Sequence, residues 1–307
     1  MQVYLPIAEI PVNILMILGM SLAVGFISGM FGIGGGFLMT PLLIFTGVPA
    51  AIAIGTEAAQ IAASSFAGSL TYWRKKALDL RLAGVLLVGS VMGTGLGVVS
   101  VGLLSRLGQL DAVIAVCYVG FLGAIGGLML VESTRAILRT RGGKPATRRR
   151  PGQHSWVHGL PFKMRFKRSM IYVSVIPLIG IGAFVGFVGS VLGIGGGFIL
   201  VPALVYLFRV PTSVVVGTSL FNILVTMLFA TVLHAATNYA VDAVLALLLM
   251  IGGSIGAQFG ARAGQKLKGE QLRFFLALLL LAVGARFAID LIATPLQPFS
   301  YTVGEAI

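Results

Sequence analysis

One stretch of this chain occurs twice, and each copy is a glycine turn set inside apolar sequence. Gly-Ile-Gly-Gly-Gly-Phe stands at residues 32–37 and again at residues 193–198, an offset of 161. Each copy is followed by a proline, Pro41 or Pro202, and then by a Val-Pro and a Gly-Thr dipeptide. Chance does not account for a match of this length. The sequence therefore predicts two related halves, each built around its own glycine turn.

The composition indicates that both halves lie in a membrane. Hydrophobic residues make up 57% of the 307-residue chain, charged residues only 10%, and the mean hydropathy is +1.01. Several apolar runs approach or exceed the roughly 20 residues that cross a bilayer as a helix. We therefore expect an all-α polytopic membrane protein. The single cysteine, Cys117, excludes an internal disulfide and a cysteine metal cluster.

Five hydrophobic segments can be distinguished in each half. We expect residues 1–130 to form the first transmembrane repeat, 131–169 a basic linker and 170–307 the second repeat. The predicted segments are 12–30, 36–48, 50–73, 82–104 and 110–130, then 170–191, 198–209, 212–237, 241–263 and 272–292.

The second segment of each half is short. Thirteen helical residues reach only about 20 Å, less than the roughly 30 Å of a hydrocarbon core. Residues 36–48 and 198–209 each follow a glycine turn directly, which predicts half-helices entered through a broken turn. An ordinary tilted helix with a glycine loop at the membrane surface is the alternative, and the sequence leaves open whether these segments cross completely.

The basic residues predict the orientation of the chain. With the N-terminus outside and alternating helices, twenty of the 22 Lys and Arg residues face the cytoplasm, Arg286 lies within the last helix, and Arg106 alone faces outward. Both termini are then periplasmic and linker 131–169 is cytoplasmic. Because the second half starts on the other side from the first, the two repeats are inverted, as in many secondary transporters.

The net charge of +13 raises the question of a nucleic-acid partner. Eleven of the 22 basic residues lie between Arg135 and Arg168, and most others flank apolar runs. This distribution indicates membrane topology and anionic lipid headgroups at the linker instead of nucleic acid. A homodimer is considered on general grounds alone.

The glycine turns are the first candidate for a binding site. Consecutive glycines let backbone N–H groups point into one concavity, and a helix that starts after the turn adds the positive end of its dipole. Such a site suits an anion with several oxygens. The alternative is that the glycines only permit tight packing. The candidate residues are Gly34, Gly35, Gly36, Gly195, Gly196 and Gly197.

The Gly-Thr strings supply the second set of candidates. Thr56 and Gln60 lie four residues apart and share a helix face, as do their counterparts Thr218 and Asn222. Their hydroxyl and amide groups, with the hydroxyl of Ser219, are suited to complete the coordination of an oxyanion. Hydrogen bonds between helices are the alternative role for such residues in membranes.

Glu57 is the one acidic residue well inside a predicted membrane segment of the first half. Carboxylates at such positions are costly and usually functional, so Glu57 is a candidate for proton coupling. Its counterpart is Ser219, so the halves differ here. The alternative is that Glu57 lies near enough to the outer surface to be hydrated.

The remaining polar residues receive simpler interpretations. Arg286 and Asp290 are one helical turn apart and are expected to form a local ion pair. Asp79 and Asp242 are assigned to loops and are expected to be solvated, and His234 is assigned to packing. No set of side chains has the spacing of a catalytic or metal site, so we expect no enzymatic activity and no metal.

At these motifs the chain resembles the sulfite exporter TauE/SafE family of membrane permeases. The resemblance covers nearly the whole chain and rests on the doubled glycine turns, the Pro-then-Gly-Thr strings and Gly-Gly-Ser-Ile-Gly-Ala-Gln-Phe-Gly-Ala-Arg at 252–262. It implies a bacterial inner-membrane protein that moves sulfur-containing anions, without a cofactor and driven by an ion gradient. Relatives often carry Gly-Thr-Gln-x-Asn-Gln where this chain has Gly-Thr-Glu-Ala-Ala-Gln at 55–60, a difference that bears on the substrate and the coupling ion.

We therefore expect a secondary transporter that exports sulfite or an organosulfonate by alternating access, coupled to protons. An anion channel and an importer of another oxyanion, such as thiosulfate, are the alternatives within transport. A membrane enzyme would need a cluster of catalytic residues that the sequence does not display. A scaffold acting through the basic linker would not need the glycine turns at all.

Overall fold

The protein is a bundle of helices, as the hydrophobic segments predict. The computed structural model describes residues 2–31, 36–141, 161–166, 168–208, 210–264 and 269–292. Each of the ten predicted segments coincides with one helix of this part of the chain. The helices are α1 (Ile14–Phe31), α2 (Gly36–Phe45), α3 (Ala50–Arg74), α4 (Leu80–Arg106), α5 (Leu110–Arg141), α6 (Val175–Leu192), α7 (Gly197–Tyr206), α8 (Thr212–Thr237), α9 (Ala243–Gly264) and α10 (Gly269–Ile292).

A short antiparallel hairpin precedes the first helix of each half. Strands β1 (Gln2–Tyr4) and β2 (Pro11–Asn13) lead into α1, and β3 (Lys163–Phe166) and β4 (Ile171–Ser174) lead into α6. Gln2 pairs with Asn13 in the first hairpin, and Lys163 pairs with Ser174 in the second. The hydrophobic pattern did not predict these hairpins, because each strand has only three or four residues.

Six helices of the described chain are long and apolar enough to cross a membrane, which confirms the polytopic prediction. These spans lie in α4, α5, α6, α8, α9 and α10. Helix α3 is not among them, although it has 25 residues, because it carries Glu57, Gln60 and several serines. Every residue from Ala53 to Ala58 is buried. The polar character of α3 is therefore directed into the protein interior.

The helix contacts are preserved when the two halves are exchanged. Helix α1 packs along α9, and its counterpart α6 packs along α4, which is the counterpart of α9. Helix α3 packs against its own counterpart α8, and α5 packs against α10. The sequence repeat therefore has an equivalent in the packing, and every extensive helix contact joins the two halves.

Small residues allow the closest of these contacts. Gly89, Gly93 and Gly97 lie one turn apart on α4, and a Cβ on Gly93 would lie 1.9 Å from the backbone oxygen of Ala183 on α6. Their counterparts on α9 meet α1 in the same way. Without side chains at these positions the helix backbones approach closely, as in other membrane helix pairs. The α9 counterparts are Gly252, Gly256 and Gly260.

Helices α2 and α7 are short, as predicted. Each has ten residues, which corresponds to about 15 Å of helix and so to about half a hydrocarbon core. In the second half, α6 ends at Leu192, and α7 begins five residues later at Gly197. The corresponding turn of the first half, residues 32–35, lies outside the described residues.

The predicted linker 131–169 is described only at its ends. Helix α5 continues into it as far as Arg141, and strand β3 lies near its other end. Residues 142–160 and 167 lie outside the described part of the chain. The division into a first repeat, a linker and a second repeat stays a prediction.

Candidate functional site

The two short helices begin beside each other. Phe37 and Phe198, the last residues of the repeated motif, stack with ring centroids 5.5 Å apart and planes inclined by 18°. Both side chains are buried. Each phenylalanine is the second residue of its helix, so the stack brings the N-terminal ends of α2 and α7 together. A helix N-terminus carries a partial positive charge and N–H groups without intrahelical acceptors.

The second glycine turn has a backbone that only glycine adopts readily. Gly193, Gly195 and Gly196 have φ angles of 66°, 77° and 70°, all in the left-handed region. The turn is buried from Gly193 to Gly197. Irregular backbone at this depth must be enclosed by protein or face a watery cavity. Of the candidates in the first turn, Gly34 and Gly35 lie outside the described residues.

The second glycine turn and the first residue of α2 meet helix α3 at one point. A Cβ on Gly195 would lie 2.8 Å from Cγ2 of Ile61 on α3 and 3.5 Å from Cγ2 of Ile223 on α8. A Cβ on Gly36 would lie 2.2 Å from Cδ1 of the same Ile61 and 2.7 Å from the carbonyl oxygen of Gly193. The second turn thus lies between the two central helices, with the start of α2 beside it.

Thr56 and Thr218 occupy equivalent positions and make equivalent hydrogen bonds. The Thr56 hydroxyl accepts a bond of 3.0 Å from the backbone N–H of Asp242, and the Thr218 hydroxyl accepts one of 3.2 Å from that of Asp79. Both threonines are fully buried. Each hydroxyl still has its own hydrogen to donate. The predicted interhelical role is therefore present, and a ligand contact is compatible with it.

The expectation that Asp79 and Asp242 are solvated is wrong, because both side chains are buried. Each caps the helix that follows it. Oδ1 of Asp79 accepts from the N–H groups of Arg81 and Leu82 at the start of α4. Oδ1 of Asp242 accepts in the same way at the start of α9, from Val244 and Leu245. These donors replace the water that a carboxylate otherwise requires.

The second carboxylate oxygen of each aspartate holds a hairpin. Oδ2 of Asp242 accepts from the N–H of Ile7, between β1 and β2. Oδ2 of Asp79 accepts from both the N–H and the hydroxyl of Ser169, between β3 and β4. Each aspartate thus connects a hairpin, a helix start and a threonine of the candidate site. Spacing along the sequence did not indicate these contacts, because the hairpins come from the opposite half.

Gln60 and Asn222 also point to equivalent places. The Gln60 side-chain nitrogen lies 2.4 Å from the position of a Cβ on Gly253 of α9. The Asn222 amide donates to the hydroxyl of Ser90 on α4, the counterpart of Gly253, at 3.1 Å. The carboxamide oxygens of both residues and the hydroxyl of Ser219 are buried without a hydrogen-bond partner. A half-turn of either amide presents its NH2 group in place of its oxygen.

Glu57 is fully buried, and neither carboxyl oxygen has a hydrogen-bond partner. It shares one face of α3 with Ile54 and Ile61, three residues before it and four after it. A Cβ on Gly193 would lie 3.2 Å from Cα of Ile54, and Ile61 contacts Gly195. Glu57 therefore faces the second glycine turn from α3. The alternative of a hydrated surface position does not fit this burial.

Sequence reasoning missed two residues at the second glycine turn. The hydroxyl of Tyr118 on α5 donates to the carbonyl oxygen of Leu192, and that of Thr40 on α2 donates to the carbonyl oxygen of Gly193 at 3.3 Å. Thr40 is the one polar side chain in α2, a signal that could have been noticed.

The other polar predictions concern residues away from the turns. Arg286 and Asp290 form the expected local ion pair on α10, partly exposed, and Arg286 lies over the ring of Phe45. His234 is buried near the end of α8, with Nδ1 3.1 Å from the Asn238 side chain. Across the described ranges, no group of three His, Cys, Asp or Glu residues could hold a metal ion.

Together these features define a class of protein. The chain is a polytopic helical membrane protein in which polar side chains of two central helices are buried beside a glycine turn. The profile of the sulfite exporter TauE/SafE family matches residues 17–287. The chain therefore belongs to this family.

Its relatives are named as transporters. The chain is 27% identical over 270 residues to probable membrane transporter protein YjnA of Bacillus subtilis, covering 87% of this chain and 96% of the relative. It is 28% identical over 286 residues to YunE of the same species, covering 90% and 97%. A Xylella fastidiosa probable membrane transporter protein is 30% identical over 256 residues, covering 81% and 84%. No solved structure matches the chain significantly.

Proposed function

We propose that this membrane transporter moves a small sulfur-containing anion, such as sulfite or an organosulfonate, across the bacterial inner membrane. One observation carries the proposal. Gln60, Ser219 and Asn222 each bury a polar atom without a partner, on the two helices that enclose the second glycine turn. A buried polar group without a partner costs about 1–3 kcal/mol. An anion that accepts from the Ser219 hydroxyl and, after a half-turn of each amide, from the NH2 groups of Gln60 and Asn222 is a physical reason to retain such groups.

An anion fits the sign and geometry of the donors. The N-termini of α2 and α7 meet at Phe37 and Phe198 and direct the positive ends of two helix dipoles to one region. The hydroxyls of Thr56 and Thr218 and the amides of Gln60 and Asn222 add donors from α3 and α8. The buried residues of the described chain include no Lys or Arg. Neutral donors would therefore replace the water around the anion.

Alternating access follows from the repeat, in our proposal. The pattern of helix contacts stays the same when the two halves are exchanged. The basic residues favour periplasmic termini and a cytoplasmic linker. The halves then have opposite orientations in the membrane. Rocking one half against the other would expose the same site first to one side and then to the other. Such motion distinguishes a carrier from the channel considered as an alternative.

Proton coupling rests on Glu57. An ionised carboxylate and an anion in one low-dielectric site repel each other strongly. The two charges are compatible when a proton neutralises Glu57 while the anion is bound. The proton and the anion would then share the closed state of the carrier. The proposal includes no enzymatic step and no cofactor.

Export is the proposed direction, driven by anion that accumulates in the cytoplasm. Glu57 also supports a second candidate, an importer of an oxyanion such as thiosulfate. A proton carried together with the anion moves inward down the usual proton gradient, which favours uptake. The two candidates share one site and one coupling mechanism, and they differ in the substrate and in the gradient that drives it.

The test is flux of radiolabelled sulfite, and in parallel thiosulfate, in proteoliposomes with and without an imposed pH gradient. We expect saturable flux of one anion, which runs faster toward the alkaline side because the proton travels along. The Glu57→Gln variant should lose its response to the pH gradient. Non-saturating flux would indicate a channel, and flux of neither anion by folded protein would reject this substrate class.

A further inference from the structure

We propose that Thr40, Glu57 and Tyr118, with the carbonyl oxygens of Leu192 and Gly193, form a proton-binding site that controls the second glycine turn. The inference deepens the proposed function and rests on it for its role in transport. The structural part, a proton on Glu57 that determines which acceptors the two hydroxyls use, can be tested without any substrate.

Two hydroxyls hold the helix end at which α6 breaks. Tyr118 on α5 donates to the carbonyl oxygen of Leu192, the last residue of α6. Thr40 on α2 donates to the carbonyl oxygen of Gly193, the left-handed residue that caps α6. The last carbonyls of a helix have no intrahelical donors. These hydroxyls therefore satisfy carbonyls that the break leaves open, and they tie α2 and α5 to the turn.

Glu57 is placed to compete for the same hydroxyls. It lies on α3 about one helical turn after Ile54, and Thr40 and Tyr118 donate to adjacent carbonyl oxygens at this turn. A Cβ on Gly193 would lie 2.7 Å from the Thr40 hydroxyl oxygen and 3.2 Å from Cα of Ile54, which shares the face of Glu57. Both carboxyl oxygens of Glu57 are buried and unpartnered. The carboxyl group of Glu57 therefore has no hydrogen-bond donor, while the hydroxyls of Thr40 and Tyr118 donate to carbonyl oxygens of the turn that it faces.

The chemistry makes this arrangement a switch. Each hydroxyl has one hydrogen to donate, and an ionised carboxylate is a stronger acceptor than a carbonyl. With a proton on Glu57, the hydroxyls of Tyr118 and Thr40 stay on Leu192 and Gly193, as in the structure. When Glu57 loses its proton to water in an opened site, the hydroxyls turn to the carboxylate. The turn then loses two tethers, and no other bond is made or broken.

The switch belongs to one half of the repeat. The counterpart of Thr40 in α7 is Val201, and the counterpart of Glu57 in α8 is Ser219. Helices α2 and α7 nevertheless have the same length and begin side by side. A half-helix therefore forms without this polar set, so its presence in the first half calls for another role. A single carboxyl group corresponds to one proton per transport cycle.

The other ionisable groups packed around α3 do not lie on the same side as Glu57. They lie at a different angle around this helix or at the ends of its neighbours. His234 on α8 contacts Gly55, two residues before Glu57 and therefore about 200° around the helix. Helices α2 and α6 carry no ionisable side chain. Asp242 at the start of α9 is satisfied by three backbone donors. The remaining charged groups on α4, α5 and α9 whose exposure is described are Asp79 (buried at the start of α4) and the exposed Arg81, Arg106, Asp111, Arg135 and Arg262.

The test is a pH titration of the full chain in lipid nanodiscs, without substrate, followed by infrared spectroscopy of protonated carboxyl groups. We expect a carboxyl band that Glu57→Gln removes. Tyr118→Phe and Thr40→Val should each move the midpoint of this band to higher pH by about one unit, because the ionised form loses a donor worth about 1.5 kcal/mol. Tyr172→Phe on the exposed face of β4 and Thr231→Val, whose hydroxyl bonds its own helix, are the matched controls.

Three results would overturn the site: no band that depends on Glu57, midpoints unchanged in both hydroxyl variants, or a band abolished by Na⁺ at constant pH, which would indicate a metal-cation site. If Tyr118→Phe does not fold, Thr40→Val decides alone. Because the titration needs no flux, it separates the two proposals. A shifted band in a protein that transports nothing would reject the transport proposal and retain the proton site.

Discussion

Phe37 and Phe198 stack on each other across the two halves, with ring centroids 5.5 Å apart. They are the same residue of a repeated motif, so one contact joins both short helices. Phe121 adds an edge contact to Phe198 with centroids 6.1 Å apart. The stack fixes the distance between the two helix N-termini that would face the anion.

Phe37→Ala should therefore destabilise the protein by about 3–5 kcal/mol, because truncation of a buried aromatic leaves a cavity and removes the stack. Thermal unfolding in detergent measures the effect. Phe184→Ala is the control, since the side chain of Phe184 on α6 is 57% exposed and its removal leaves no buried cavity. Equal losses of thermal stability in the two variants would show that the stack contributes no more than an exposed phenylalanine.

Two glycines on α4 test the close packing of α4 against α6. Gly93→Ala places a methyl group 1.9 Å from the Ala183 backbone oxygen, and α4 must move away from α6, at a cost of about 1–3 kcal/mol. Gly95 lies two residues along the same helix, and a Cβ on it would have nothing within 4 Å. Gly95→Ala should stabilise the helix by about 0.5–1 kcal/mol. We expect the melting temperature to fall in Gly93→Ala and to rise in Gly95→Ala. Changes of the same sign in both variants would contradict close packing of α4 against α6 at Gly93.

Asp242→Ala tests the connection between a hairpin and the candidate site. The variant loses the cap of α9, worth about 0.5–2 kcal/mol, and leaves the N–H of Ile7 without its acceptor. We expect lower thermal stability and faster proteolysis near β1 and β2. Asp111→Ala, at an exposed position in the first turn of α5, should behave like the wild type. Unchanged proteolysis in Asp242→Ala would mean that the hairpin is held by other contacts.

Ser219→Ala separates function from stability. The Ser219 hydroxyl is buried without a partner, so its removal should leave the melting temperature unchanged or slightly higher. If the hydroxyl serves an anion, transport should fall several-fold while the protein remains folded. Thr226→Val is the control, because its hydroxyl bonds its own helix at Asn222. A variant with normal flux would remove Ser219 from the site.

The sequence was sufficient to predict the helices and the short segments. Apolar runs and glycine turns are local signals, and the offset between the copies identified residues that the structure places equivalently, such as Thr56 and Thr218. The contacts of Gln60 and Asn222 with equivalent positions of α9 and α4 also follow from the repeat once the fold is known.

Contacts between segments that are far apart in the chain could not be predicted from the sequence. Asp79 and Asp242 looked solvated because the donors to the second oxygen of each come from hairpins of the opposite half, 90 and 235 residues away. Tyr118 had no local signal, since it lies in an apolar segment and its hydrogen-bond partner belongs to α6. Periodicity reports which face of a helix is apolar, and it does not report which helix covers that face.

The most direct test of a site at the glycine turn compares saturable sulfite uptake by Gly195→Ala and Gly180→Ala proteoliposomes. Gly195 has a φ of 77° and lies between Ile61 and Ile223, whereas Gly180 on α6 has open space around it. We expect at least a tenfold loss of uptake in folded Gly195→Ala, which corresponds to about 1.4 kcal/mol, and wild-type uptake in Gly180→Ala. Full uptake by Gly195→Ala would contradict a substrate site at this turn.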